Sequence, residues 1–141
     1  MTLNANRKCV IVVDETMPAG IITNTAAILG MTLGKRLPEA VGEDLLDGDG
    51  ICHMGIVQFP IPILRGDGPS IREILRKVRE KDLSDLIVVD FSDVAQGCKT
   101  YDEFRGKMAQ ASGANLNYLG IALCGDRKQI NHLTGSMGLL R

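Results

Sequence analysis

The sequence predicts an α/β domain, and three observations carry that expectation. Three apolar, β-branched runs, CVIVV (9–13), LIVVDF (86–91) and YLGIALC (118–124), read as strands buried on both faces. Stretches with helix-start signals and a 3.6-residue apolar period separate them. The 141 residues fit one domain, 1–141, large enough to bury roughly 68–70% of its unfolded surface. Helices alternating with strands pack on the faces of a sheet, so the expected architecture is a three-layer α/β/α sandwich on four or five strands. Residues 1–7 are expected to form a flexible tail. With no Trp and 4% aromatics, the core must rest on Ile, Val, Leu, Met and Ala.

The first strand, CVIVV, runs into Asp14, and Pro18 stands where a first helical turn tolerates proline. From Ala19 to about Arg36 the chain is apolar on several sides, which predicts a well-buried helix. Gly30 and Gly34, one turn apart, would each cost a free helix about 1 kcal/mol, so close packing against a neighbour is the expected compensation. Residues 38–50 read as a loop or hairpin. The DGDG stretch there is a turn rather than a calcium loop, because Ile51 and Gln58 fall where oxygen ligands are needed. ICHMGIVQFPIPIL continues as extended chain, and Pro60 and Pro62 confine its second half to a sheet edge or to no ladder.

Ser70 with Glu73 predicts a capping box, followed by the stripe Ile71, Ile74, Leu75 and Val78 of an amphipathic helix. After LIVVDF, Thr100 with Glu103 marks another helix start, and Gly113 a stop. The last strand is expected to hand over at Asp126 to a short helix ending near Gly135.

Net charge of −1 and a pI of about 6.1 argue against nucleic acid as a partner, which usually requires a strongly basic face. The basic stretch from Arg65 through Arg72, Arg76 and Arg79 to Lys81 is interspersed with acids and reads as a solvated helix face. No stretch reaches the roughly 18–20 apolar residues of a membrane span, and MTLNANRK has no signal-peptide core, so a cytoplasmic protein is expected, with no membrane partner. Cys9, Cys52, Cys98 and Cys124 are then expected as reduced thiols. They form no CxxC pair, and no metal site or cofactor is expected.

Ligands of open α/β sheets gather beyond the carboxyl ends of the strands. Asp14, Asp90 and Asp126 end or flank three strands, with Asp93 close behind; parallel strands would bring them to one edge, where clustered carboxylates can act as acid and base. The bland alternative is that each caps a helix. Thr25 either lines a pocket or bonds back to its own helix. Cys98, beside Lys99 and near a helix start, could be a reactive thiol.

The opening CVIVVDETMPAGIITNTAAILG and the ending ALCGDRKQINHLTGSMGLLR together resemble peptidyl-tRNA hydrolase II, and more closely a bacterial group of small proteins, domain-of-unknown-function family 2000. The resemblance covers about a third of the chain. It implies a peptidyl-tRNA hydrolase II-like fold with a mixed sheet, and often a homodimer. The departures matter more. Where the hydrolase turn has two lysines this chain has Pro18-Ala19-Gly20-Ile21, its Gln falls on Thr25 and its His on Ile28. Only Asp14 carries over, with Gly20 as a backbone device. Ester hydrolysis on tRNA needs an activated water, an oxyanion donor and cations for the RNA, and apolar Ile supplies none of these. Three expectations follow. One is a protein that binds a small molecule or peptide in a cleft bordered by Asp14, Thr16, Met17, Gly20, Thr25, Asp93 and Cys98. A second is a divergent peptidyl-tRNA or related ester hydrolase with Asp14 as its surviving acid–base or orienting group and basic residues such as Arg65 or Lys99 in place of the missing lysines. A third is a purely structural, dimeric interaction module.

Overall fold

A computed structural model describes residues 6–141. Its centre is β1 (Arg7–Asp14), whose residues from Cys9 onward are all buried. A strand buried on both faces must pair on both edges, and β1 does. β4 (Ile63–Gly66) runs parallel on one side and β6 (Tyr118–Asp126) antiparallel on the other, with β5 (Ile87–Ser92) beyond it, antiparallel to β6. The result is a mixed four-stranded sheet in the order β4-β1-β6-β5. The prolines behave as their chemistry demands: Pro62 lacks an N–H but its carbonyl accepts from Ile11 N (3.0 Å), and β4 begins at Ile63 on the sheet edge. β2 (Leu45–Leu46) and β3 (Cys52–His53) form a separate small hairpin. Asp47 builds its turn, its Oδ1 accepting from Asp49 N and Ile51 N.

Five helices complete the described chain. α1 (Ala19–Arg36) packs on one face of the sheet, where Leu29, Leu33 and Leu37 meet Cys9, Ile11, Val13, Phe91 and Ala122. α2 (Gly68–Glu80) and α5 (Arg127–Thr134) cover the other face, around Val10, Val12, Ile121 and Leu123. Short α3 (Asp93–Gln96) and α4 (Tyr101–Gln110) lie between β5 and β6 in sequence, and Met108 of α4 packs against this second cluster.

Several local expectations are revised. The α2 box is formed by Asp67 and Ser70, not Ser70 and Glu73: the Asp67 carboxylate accepts from Ser70 N (2.8 Å) and Ser70 Oγ from Asp67 N (2.9 Å). Asp67 stands before the Gly68-Pro69 start and reaches the free amides first, which leaves Glu73 to pair with Arg76. Asp126 does cap α5, accepting from Gln129 N, and Thr100 caps α4. α4 ends at Gln110 rather than at Gly113, which opens a 3₁₀ turn instead. Of the expected tail, residues 1–5 lie outside the described residues, whereas Asn6 O accepts from Arg127 N and Arg7 opens β1.

Two corrections bear on packing. The register of β1 on β6 sets Cys9 opposite Cys124, with Cα atoms 4.1 Å apart, and the pair is disulfide-bonded rather than reduced. Sequence spacing could not show this, because the two cysteines are 115 residues apart. α1 is buried along one stripe only, Thr25, Leu29 and Leu33, while Met31 is 82% exposed. A methyl on Gly30 or Gly34 would have nothing within 4 Å, so the close packing expected of these glycines is absent within the protomer. Gly120 is the glycine that packing requires. A Cβ there would come within 2.4 Å of Thr25 Cγ2 and 3.0 Å of Leu29 Cδ1, so α1 can lie this close to the sheet only over a bare strand position.

Gly120→Ala should therefore lower stability by about 1–3 kcal/mol through overpacking, whereas Gly34→Ala should raise it by up to about 1 kcal/mol. Urea titration of the two variants checks the opposite signs. Alkylation of the denatured, unreduced protein should modify Cys52 and Cys98 alone, with Cys9 and Cys124 reacting only after reduction.

Candidate functional site

The mixed sheet decides which carboxylates can meet. β1, β4 and β5 run one way and β6 the other. Asp14 therefore ends at the same edge as Ser92 and Asp93, while Asp126 sits at the opposite edge beside Arg7. Asp90 lies within β5, opposite Ile121. The expected four-fold convergence does not occur, because a reversed strand carries its terminal Asp away.

Asp14 is buried, 7% exposed, and its Oδ1 accepts from Thr16 N (2.9 Å) and from Thr16 Oγ1 (2.6 Å). Its Oδ2 has no partner among the described residues. Asp14 thus folds the chain out of β1 into an Asx-type turn ahead of Pro18. It makes no cap on α1, whose N-cap Pro18 has no side-chain bond.

Thr16, held this way, lines a cleft of about 500 Å³ together with Glu15, Arg65, Asp67, Ser70 and Ser136. The cleft lies where β1 and β4 end side by side, Glu15 N donating to Gly66 O (3.0 Å). Its far wall is the chain after α5, where Gly138 O accepts from Arg65 N (2.9 Å). A methyl on Gly138 would lie 3.1 Å from Arg65 Nε, so the bare backbone lets the guanidinium stem pass. Arg65 makes no side-chain hydrogen bond or ion pair among the described residues. Because Thr16 Oγ1 spends its proton on Asp14, it offers lone pairs to the cleft, while Arg65 offers only donors.

The other expected site residues are dispersed. Met17 packs into the apolar cluster under α1. Gly20 is exposed at the start of α1 with open space around it. Thr25 is fully buried, and its hydroxyl donates to Ile21 O (2.7 Å), so it contacts Gly120 and not a cleft. Asp93 binds Asn117, accepting from its backbone N (3.1 Å) and Nδ2 (2.8 Å), and so ties the start of α3 to the entry of β6. Cys98 is half-buried in the α3–α4 connection, and Asn24 Nδ2 donates to Gln96 Oε1 (3.1 Å), so this loop borders α1 rather than the cleft. Sequence reasoning named Arg65 only as a stand-in for the hydrolase lysines, and it missed Ser70 and Ser136 as residues lining the cleft. Ser136 lies within the C-terminal stretch that carries the hydrolase resemblance, but nothing in sequence places it beside Arg65.

A second groove, about 660 Å³, runs along α2. Two of its three arginines are occupied. Arg72 donates to Gly113 O (2.9 Å) and Leu116 O and stacks 5.1 Å over Tyr118, while Arg76 pairs with Glu73 (2.6 Å) and Glu80. That is a solvated, self-neutralised helix face.

A mixed-sheet α/β domain with a polar cleft at the carboxyl ends of two parallel strands defines the class of protein. The chain belongs to the family described as protein of unknown function DUF2000, which matches residues 7–141. A solved structure of a protein of unknown function from Agrobacterium tumefaciens strain C58 is similar over 98% of this chain and 100% of that one, with TM-score 0.87 and 20% identity, a likeness of fold. No curated protein matches the chain. No helix among the described residues is long and apolar enough to cross a membrane.

Two carboxyls at the β5–α3 junction differ in pKa. Burial raises that of Asp90, and the charge of Arg79 offsets this only in part. Burial also acts to raise Asp93, but the Asn117 bonds and nearby backbone N–H groups outweigh it and hold the carboxyl below its usual range. The contribution of Asp93 is therefore present above its unfolded pKa of about 3.9 and lost as pH falls through the lower folded value. That of Asp90 is present below about pH 3.9 and lost as pH rises through its raised folded value. Asp90→Asn should raise the melting temperature near pH ~7 and lose that advantage near pH ~3, while Asp93→Ala should lower it near pH ~7. Thermal melts across that range test both signs.

Proposed function

We propose that the protein binds a small molecule or short peptide carrying both an anionic group and a hydrogen-bond donor, as a free peptide terminus or an amino acid does, in the cleft between Thr16, Arg65 and Ser136. The single observation that carries this reading is the pairing of an uncommitted Arg65 with a Thr16 hydroxyl whose proton is already engaged by Asp14. A guanidinium facing solvent-filled space can take a carboxylate or phosphate in a bidentate way. The oriented oxygen of Thr16, with Glu15 beside it, suits the ligand's donor. The volume of about 500 Å³ lies in the range of small-ligand sites. In this reading Asp14 is a positioning residue, since it acts through Thr16.

A screen of amino acids, dipeptides and small phosphates by ligand-observed NMR tests it. Arg65→Ala should abolish binding, and Asp14→Ala should weaken it roughly tenfold, about 1.4 kcal/mol, by freeing the Thr16 hydroxyl to rotate. Binding that survives Arg65→Ala, or no binding across the panel, would remove the proposal.

One observation favours a second reading: Asp14 Oδ2 is unpartnered among the described residues, so an acid–base role for a divergent ester hydrolase has a free oxygen to use. The residues at the hydrolase positions offer no help, for Ile21 packs into the cluster under α1 and Ile28 faces outward on α1. Peptidyl-tRNA turnover that Asp14→Asn abolishes would establish this reading, and no turnover from folded protein would dismiss it.

A further inference from the structure

The chain between α1 and β4 holds an unusual concentration of uncovered apolar surface. Eight of the ten exposed large apolar side chains among the described residues fall between Ile28 and Ile56. Six of these belong to an arm of residues 41–57, closed at its base by the Val41–Val57 bridge and by Gly42 N donating to Ile56 O (2.9 Å). Every residue from 43 to 54 is exposed, and Leu46, Ile51, Met54 and Ile56 are 59–85% exposed. A two-stranded ribbon with no face on a core is at best marginally stable in water. This one is nevertheless firmly built, by the Asp47 turn, by His53 Nε2 lying 2.8 Å from Asp47 Oδ2, and by Gly55 N donating to Asp44 Oδ1 (2.9 Å). Apolar surface of this extent, held in one shape and left uncovered, marks a site of association.

At the foot of the arm this surface has a recess. Gly30 and Gly34 of α1 line an apolar crevice of about 80 Å³ together with Val41, Val57 and Phe59. A Cβ on either glycine would meet nothing within 4 Å, so the protomer leaves this space unfilled. Two glycines one turn apart weaken a helix, and no contact within the chain offsets that weakness. The recess is about the size of one aliphatic side chain, and a pocket of that kind anchors a partner at the centre of an interface.

Charge identifies the partner. From Leu37 to Leu64 the chain holds five carboxylates, Glu39, Glu43, Asp44, Asp47 and Asp49, and no Lys or Arg, although the whole chain carries a net charge of only −1. Asp44 and Asp47 are spent on the arm itself, whereas Glu43 and Asp49 make no side-chain hydrogen bond or ion pair among the described residues. Lys35 and Arg36, at the end of α1, stand about 100° and 200° around the helix from Gly34, and neither lines the crevice. A neighbour that suits this surface therefore brings an apolar side chain for the crevice and cations to set against the carboxylates.

We propose that the arm and the crevice at its foot dock a basic amphipathic segment of another protein, one apolar side chain of which enters the crevice while flanking lysines or arginines pair with Glu43 and Asp49. The bare backbone at Gly30 and Gly34 lets that segment lie close against α1, which supplies the packing those glycines lack. The arm's exposed apolar side chains cover the rest of its apolar side. Helical segments that bind in this way carry apolar anchors at i, i+3, i+4 and i+7, with the cations on the other positions.

Fluorescence anisotropy of two labelled synthetic peptides, titrated with the full chain, tests this. One peptide has Leu at i, i+3, i+4 and i+7 and Lys elsewhere; the other has Glu in place of every Lys. The first should bind at micromolar concentration and the second should not. Gly34→Leu fills the crevice without disturbing its surroundings, so it should weaken the first peptide by roughly tenfold or more while leaving the melting temperature no lower. Glu43→Lys with Asp49→Lys should lose the first peptide and gain the second, a reversal that damage to the fold does not produce. No binding of the first peptide, equal binding of both, or binding indifferent to Gly34→Leu would overturn the proposal. Two other occupants would overturn it as well. A chain that sediments as a dimer and in that form excludes the peptide is covered by a second copy, and a chain that floats with phosphatidylcholine vesicles and there releases the peptide is covered by lipid.

Discussion

The antiparallel pairing of β1 with β6 is the interaction on which the rest of the structure depends. It runs from Arg7 opposite Asp126 to Val13 opposite Gly120 and brings together segments more than 100 residues apart in sequence. Both strands are buried on both faces, so their ladder is the part of the molecule where an unmade backbone bond would cost most. Their register fixes several contacts at once. Cys9 meets Cys124, and the bare backbone of Gly120 comes under Thr25 and Leu29, which sets how near α1 can lie. A one-residue slip would exchange the two faces and bring a side chain under α1. The last link of the same strand, Asp14, is where the ladder ends and the cleft begins.

Much of this was legible from sequence where a local rule decides the outcome. The three β-branched runs are strands because such residues fit a pleated surface with an apolar layer on either side. Asp126 and Thr100 cap their helices because short oxygen-bearing side chains at those positions reach the free amides. The direction of β6 was not legible, since a buried strand looks the same read either way. That direction separates Asp126 from Asp14 and joins Cys9 to Cys124. The α1 expectation failed for a related reason. A helix apolar on several sides reads as buried, yet periodicity cannot say whether the second apolar side is covered by its own chain or by another.

The cleft shows the same division. Asp14 and Thr16 were both expected to border the cleft, and the contact the structure shows between them is local, two residues apart. Arg65 and Ser136 come from the end of β4 and from the chain after α5, and only the parallel pairing of β1 with β4 sets them around Thr16. Thr25, Asp93 and Cys98 looked like site residues because they are polar or reactive and lie close to helix starts. Two of them are spent on structure, Thr25 on the carbonyl of Ile21 and Asp93 on Asn117. A polar side chain that has satisfied itself locally has little left to offer a ligand, whereas Arg65 and Asp14 Oδ2 keep their hydrogen-bonding capacity unspent among the described residues.

The open apolar side of α1 and the polar cleft are physically independent, because they are built by different elements. Ile21 is packed inward, whereas Ile28, 39% exposed, lies on the same outer side of α1 as Met31. Leaving such a helix side in water costs about 25 cal/mol per Å² of apolar surface. The stripe of Thr25, Leu29 and Leu33 offsets that cost by burying the opposite side of α1 against the sheet. The cleft at Arg65 draws on none of this, since its walls are the exit of β1, the end of β4 and the chain after α5 rather than α1. A change on the outer side of α1 can therefore leave the geometry of the cleft intact.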